Sequence, residues 1–366
     1  MKSIRERIGK NNGDEGVIEE LRHSAKPILI YGCAQHAVTV LHYLIKHDLQ
    51  VEAFVVDSQY YRENFYIEQM KVRDIADYIK NSNQYNIVIG FCNVDKSKFL
   101  ISNAALLKCN FYFLWEPFKT YEWNEEYLNE NWDALQEVYD DLSDELSRNT
   151  LDGLISAKLS TNGNKLLNLA DDKQYFNELT FCADSKDEVF VDCGAFNGDT
   201  ILKYHAFTNG KYRKIYAFEP NFENVINLKE NVKYFSSIEI INKGTWKEES
   251  VLEFEENGSA SQIVEKGTVK IPVTTIDKTT GGERVTFIKM DVEGSELESL
   301  EGARNTIACY MPKLAICCYH KREDIINLYQ YIKKFDNDLK KYQFYLRHHS
   351  NNACETVLYA IPVSIT

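Results

Sequence analysis

The chain has 366 residues, 44% of them hydrophobic and 27% charged, with 42 basic against 55 acidic side chains and a net charge of −13. That length suits two domains, each able to bury a core, and the acidic balance argues against a protein that grips nucleic-acid phosphates with clustered Lys and Arg. No apolar run approaches the roughly 18 residues of a membrane helix, and the start, MKSIRERIGKNNGDEG, is polar with no apolar core, so neither an integral membrane segment nor a signal peptide is expected.

Residues 27–117 alternate strand and helix. Strands are expected at 27–32, 51–57, 85–91 and 110–117, with helices at 36–47, 71–82 and 95–108. Short apolar runs bounded by turn residues read as buried strands, and their alternation with helices as a parallel sheet covered on both faces. ILIYGCAQHAVTVLHYL has the strand–turn–helix layout of a dinucleotide fingerprint, but Gly32, Ala34 and Ala37 stand where three glycines would be. Asp57 closes the second strand, where a ribose-binding acid would sit. This is either a nucleotide or nucleotide-sugar site, or a Rossmann-like domain that keeps the fold without tight pyrophosphate contact. The missing glycines favour the second, and such a domain can still present an acceptor or support a homo-oligomer. WEPFKTYEWNEEY (115–127) is aromatic and acidic. Rings of this kind can stack on sugars, though buried packing is their commoner use.

Residues 121–187 hold no convincing strand. Within them 131–160 is helix-friendly, with Leu135, Val138, Leu142, Leu146, Leu151 and Ile155 as one apolar stripe. From 188 the alternation restarts. Strands are expected at 188–194, 214–220, 238–244, 285–291, 312–319, 342–349 and 356–362, with helices at about 199–208, 221–233, 295–308 and 322–340. A β-rich insert occupies 251–257 and 268–277. Five strands with helical crossovers, then two without a long helix between them, is the pattern of a class I methyltransferase fold. The fold class is therefore α/β. An N-terminal Rossmann-like domain (1–120) and a helical bridge (121–187) precede a domain with a seven-stranded, mostly parallel sheet (188–366), whose last pair is expected to be antiparallel. The nine cysteines are odd in number and show no C-x-x-C spacing; most lie in apolar runs, as buried reduced thiols of a cytoplasmic protein would.

The chemistry gathers at strand ends. VFVDCGAFNGDT ends a buried strand in Asp192, with Gly194 and Gly198 before a helix. Ligands of open α/β sheets bind at the carboxyl ends of strands, beside the topological switch point. Glu219 closes the next strand, placed to accept both hydroxyls of a ribose. Phe196 replaces the middle glycine that a pyrophosphate would need, so a nucleoside ligand without phosphates fits better. S-adenosyl-L-methionine is the common one. IKMDVEGSELESLEGA (288–303) brings Asp291, Glu293 and Gly294 to the same edge. Helix-capping acids are the plain alternative for each of these carboxylates.

VDCGAFNGDT, YAFEPNFENVINLKENV, IKMDVEGSELESLEGA and PKLAICCYHKRED together resemble the FkbM-type S-adenosylmethionine-dependent methyltransferases over about residues 175–362. LSDELSRNTLDGLI and QYFNEL resemble the helical lead-in of a two-domain branch of that family. Phe196-Asn197 departs from the family's usual pair. The resemblance implies methyl transfer to an oxygen of a sugar, glycan or polyketide-type product. It places Asp192, Gly194, Ala195 and Gly198 along the methionine part of the cofactor, with Asn197 and Thr200 as further cofactor contacts and Glu219 on the ribose. Pro220 and Asn221 would flank the adenosine, and Asp291 would lie near the sulfonium or the substrate.

A sugar hydroxyl is a weak nucleophile, so a general base is expected. His320 follows the fifth strand and is the first candidate; Asp291 or Glu293 can take the role, or hold a divalent metal, though no metal site is assigned. Arg347 and His348 near the sixth strand's end are candidate substrate contacts, and His349, on the opposite face, should not share their role. The competing reading is a non-catalytic module that binds S-adenosylmethionine or a nucleotide sugar. An oxidoreductase or epimerase using NAD on the N-terminal domain is disfavoured by the degraded glycines and by the lack of a Tyr-x-x-x-Lys pair after a suitable strand.

Overall fold

The runs ILIY, VFVDC and FIKM are strands buried along their whole length, as expected where helices cover both faces of a parallel sheet. The computed structural model describes residues 3–9, 16–79, 85–114, 123–160, 162–182, 185–255, 262–263, 269–337, 340–351 and 353–364. The chain divides into two units. One comprises Met1–Asp140, Asp144–Asp172 and Arg347–Thr356; the other comprises Asp141–Ser143, Lys173–Leu346 and Val357–Thr366.

The first unit runs α1 (Ile4–Gly9), α2 (Val17–His23), β1 (Ile28–Tyr31), α3 (Gln35–Lys46), β2 (Val51–Val56), β3 (Tyr66–Ile67), β4 (Met70–Asp74), α4 (Ile75–Ile79), β5 (Asn86–Ile89), α5 (Val94–Ser102), α6 (Ala104–Leu107) and β6 (Asn110–Tyr112). Helices α7 (Glu125–Asp141), α8 (Glu145–Ser160) and α9 (Asn164–Leu169) follow. The sheet order is β3-β4-β2-β1-β5-β6, with every pair parallel except β3–β4.

Two expectations are corrected here. The helix expected at 71–82 begins as β4, paired in parallel with β2. Val72 is buried between half-buried Lys71 and exposed Arg73, so the run follows a period of two before the short α4 begins. The stripe from Leu135 to Ile155 is not one helix face. The helix breaks at 142–144, where Asp144 Oδ1 accepts from the Ser147 amide at 2.8 Å and starts α8. The break resets the helical phase, which leaves Leu146 exposed while Leu135, Val138, Leu142, Leu151 and Ile155 are buried. Of the aromatic segment 115–127, residues 115–122 lie outside the described residues; Trp123 and Tyr127 are buried.

The second unit runs β7 (Val189–Cys193), α10 (Asp199–Phe207), β8 (Lys214–Phe218), α11 (Phe222–Asn231), β9 (Ile238–Ile241), β10 (Gly244–Thr245), β11 (Ser250–Glu255), β12 (Gln262–Ile263), β13 (Val269–Thr274), α12 (Ile276–Thr280) and β14 (Phe287–Met290). It continues with α13 (Glu296–Glu301), α14 (Arg304–Tyr310), β15 (Lys313–Cys317), α15 (Asp324–Lys333), β16 (Lys340–His348) and β17 (Thr356–Ser364). The main sheet has the order β16-β17-β15-β14-β7-β8-β9. Its centre is parallel and β17 runs antiparallel to β15, as expected. The insert forms a second sheet, β10-β13-β11-β12. The order reverses between β7 and β14, so the ends of those two strands flank the switch point.

Candidate active site

The turn after β7 is shaped by close backbone approach. Gly194 has φ +81°, and a Cβ there would stand 1.9 Å from the Asp291 carbonyl oxygen. Only glycine lets this turn lie against the end of β14. Phe196 also has a left-handed backbone, and its ring is exposed. Its amide donates to Glu219 Oε2 at 2.8 Å. The Asn221 amide and Asn224 Nδ2 donate to Glu219 Oε1 at 2.9 and 3.2 Å. Glu219 thus ties the β7 turn to the start of α11, using three of a carboxylate's roughly four lone-pair sites. Asn221 also caps α11, its Oδ1 accepting from the Glu223 and Asn224 amides. Pro220 is half-buried beside it, Ala195 and Thr200 are buried, and Asn197 Oδ1 accepts from the Asp199 amide at 3.2 Å.

Asp192 is fully buried and sits opposite Lys289 in the register of β7 and β14. Lys289 Nζ lies 3.0 Å from its Oδ1 and donates to the Gly194 carbonyl at 2.9 Å. Burial pushes the Asp192 carboxyl up to about 6 against the pull of Lys289. For Lys289, burial works against the charge, but the Asp192 and Asp291 carboxylates outweigh it and hold the amine protonated. The pair therefore braces the turn from inside.

Asp291 follows β14. Tyr175 donates to its Oδ2 at 3.1 Å and Tyr319 to its Oδ1 at 3.0 Å. Burial would raise its carboxyl, but Lys289, His320 and the two phenols hold it below the ordinary aspartate value. His320 follows β15 with only 6% of its side chain exposed. Burial would lower its imidazole, but Glu296, Glu293 and Asp291 raise it well above the ordinary value. Asp291, Glu293 and His320 thus converge, with the β7 turn and Glu219 along the same strand ends. Arg347 and His348 belong to the first unit. Arg347 is buried and donates to Asp144 and Ser147, and His348 is buried with Nδ1 3.0 Å from Thr356 Oγ1. His349 pairs instead with Asp171 at 2.9 Å.

Sequence reasoning missed Lys289, Tyr175, Tyr319 and Glu296. Lys289 is the charged residue inside an otherwise apolar strand, and that oddity was its signal. Tyr319 adjoins His320, but nothing in the sequence marked its partner. Tyr175 reaches the site from far upstream, and only the QYFNEL likeness drew notice to it. A Tyr-x-x-x-Lys pair does occur on α15, as Tyr329 and Lys333, but both side chains bond to Asp141 at 2.7 and 2.6 Å.

This strand order, with a glycine turn and acids at the switch point, defines a Rossmann-like methyltransferase architecture. Residues 192–344 match the family model described as the methyltransferase FkbM domain. The crystal structure of methyltransferase FkbM from Methylobacillus flagellatus KT is similar over 98% of this chain and 98% of its own, with 22% identity and a TM-score of 0.70. That likeness is one of fold. An rRNA methylase from Streptococcus thermophilus is similar over 50% of this chain and 89% of its own, at 17% identity and a TM-score of 0.33. A putative Streptococcus mutans methyltransferase in complex with SAH covers 49% of this chain and 90% of its own, at 14% identity and the same TM-score of 0.33. No curated protein matches the chain. Among the described residues, no helix is long and apolar enough to cross a membrane.

Proposed function

We propose that the protein transfers a methyl group from S-adenosyl-L-methionine to a hydroxyl oxygen of a sugar or glycan precursor. One observation carries this reading. The left-handed turn at Gly194 lies against the Asp291 carbonyl, with Glu219 beside the turn and the Asp291 carboxylate at the neighbouring strand end. Such a turn admits a nucleoside-bearing ligand close to backbone, and Glu219 retains acceptor capacity for ribose.

In the reaction, a lone pair of the acceptor oxygen forms the new O–CH₃ bond. The C–S electron pair returns to sulfur, which neutralises the sulfonium and leaves S-adenosylhomocysteine. The hydroxyl proton must leave. Asp291, with 24% of its side chain exposed, and Glu293, with 42%, can meet it at the rim, whereas His320 is shielded behind them. Positioning supplies most of the acceleration, because the nucleophile must align with the S–CH₃ bond.

The test is calorimetric titration of the full chain with S-adenosylmethionine and S-adenosylhomocysteine, with Glu219→Ala as control. Binding that the control weakens at least about tenfold, a loss of roughly 1.4 kcal/mol, supports the reading and opens a screen of acceptors with labelled methyl donor. Folded protein that binds neither ligand, or a control that binds equally well, overturns it.

A further inference from the structure

The start of α13 and the turn after β15 hold buried polar atoms that have no hydrogen-bond partner among the described residues. His320 Nδ1 lies 2.9 Å from Glu296 Oε1, and its Nε2 lies 3.4 Å from Glu293 Oε2 and 3.6 Å from Asp291 Oδ1. None of these approaches is aligned as a hydrogen bond, and both ring nitrogens are buried without a hydrogen-bond partner among the described residues. Glu296 Oε1 accepts from the Val292 amide at 3.0 Å, but its Oε2 is equally buried and has no such partner. Buried polar atoms are normally bonded, and exceptions of this kind call for a partner from outside the chain, such as an ion.

We propose that Asp291, Glu296 and His320 bind one divalent cation of the manganese or zinc type. One ligand atom from each residue lies within 4.8 Å of the others, near the roughly 4 Å spanned by two metal–ligand bonds of about 2.1 Å. Two carboxylates and an imidazole suit neither an all-oxygen calcium cage nor a thiolate site, and they match manganese and zinc. The ligands are also oriented from behind. Tyr175 and Tyr319 hold Asp291, and the Val292 amide holds Glu296. Lys289, a competing cation, is engaged by Asp192. Three protein ligands leave a position open to an outside oxygen. The use of that position rests on the methyl-transfer reading: an acceptor hydroxyl bound there loses its proton more easily before the oxygen attacks the methyl group.

The experiment uses the full chain, stripped with chelator, dialysed and titrated with MnCl₂ while free Mn²⁺ is followed by electron paramagnetic resonance. The expected result is one Mn²⁺ bound per chain, displaced by ZnCl₂, with affinity falling at least about tenfold in Glu296→Gln and in His320→Gln. Asp199→Asn, an exposed carboxylate outside the cluster, leaves it unchanged. The thermal midpoint of the unmutated protein rises with Mn²⁺, a readout that needs no variant. Absence of Mn²⁺ and Zn²⁺ binding, or equal affinity in both ligand variants, overturns the proposal. Neither methyl donor nor acceptor is present in this titration. Mn²⁺ binding without S-adenosylmethionine binding therefore keeps the metal site and removes the methyl-transfer reading, and the opposite pattern does the reverse.

Discussion

The two units repeat one device and finish it differently. In each, the glycine after the first parallel strand packs against the backbone at the end of the strand across the switch point. A Cβ at Gly32 would stand 2.2 Å from the Gly90 carbonyl oxygen, and one at Gly194 stands 1.9 Å from that of Asp291. In each, an acid follows the second strand. In the first unit that acid, Asp57, is engaged by Lys96 and by the Tyr31 hydroxyl. In the second unit it is Glu219, whose partners are two backbone amides and one side-chain amide. The same topology thus ends on a lysine ion pair in one sheet and on three amide donors in the other. What separates a scaffold from a candidate site is the set of side chains at the strand ends.

The two lysines break this comparison most sharply. Lys289 and Asp192 have 2% and 0% of their side chains exposed, whereas Lys96 and Asp57 each have 32%. Lys289→Met strands a buried carboxylate and should cost about 3–5 kcal/mol of stability, partly regained when Asp192→Asn is added; urea denaturation measures both. Lys96→Met should cost about 0–1 kcal/mol. Equal losses would mean that the two strand ends are built alike.

Next come the glycines. Gly194→Ala and Gly32→Ala should each destabilise by roughly 2–3 kcal/mol, because a Cβ must displace a backbone carbonyl at a positive φ. Titration of the folded variants at low temperature should then separate them, with S-adenosylmethionine affinity changed in Gly194→Ala alone. Tyr175→Phe removes one bond to the Asp291 carboxylate and should cost about 1.5–2 kcal/mol in thermal unfolding; a neutral result would mean that Tyr319 alone positions Asp291.

The smallest effect is one of pH. Burial raises the Asp57 carboxyl, but its bonds to Lys96 and Tyr31 outweigh burial and hold it below the ordinary value of 3.8. A depressed folded value contributes stability that is present above 3.8 and lost as pH falls through the folded value. The deficit of Asp57→Asn, at most about 1 kcal/mol for so accessible a pair, should therefore be visible at neutral pH and vanish in acid. A deficit that persists in acid would assign the effect to packing.

Continuous apolar runs such as ILIY and VFVDC announced their strands, and the acids at 219 and 291 announced the edge of the second sheet, because both signals are local. Less local features were harder to read. Val72 follows a strand's period over too few residues to be told from a helix, and Asp144 breaks a helical stripe through one cap that sequence spacing alone cannot reveal. Arg347 and His348 were candidates because they are polar at a strand end; Arg347 donates to Asp144 and Ser147, and His348 Nδ1 lies beside Thr356 Oγ1. The pairing of Tyr175 with Asp291 escaped notice because the two are remote in sequence.

Tyr175 also fixes how the second unit comes apart. Its amide donates to the Tyr359 hydroxyl on β17 at 2.9 Å, its phenol reaches Asp291 and Cys317, and its carbonyl accepts from Thr180 Oγ1 at 2.7 Å. A segment without regular secondary structure is thereby stitched to three strands, at the ends of β14 and β15 and within β17. Its amide should exchange with solvent deuterium as slowly as those of the sheet, well behind a surface loop. Local opening at that point would release one of the two donors to Asp291 while the strands themselves stayed paired, so this segment is where the integrity of the site and that of the sheet part company.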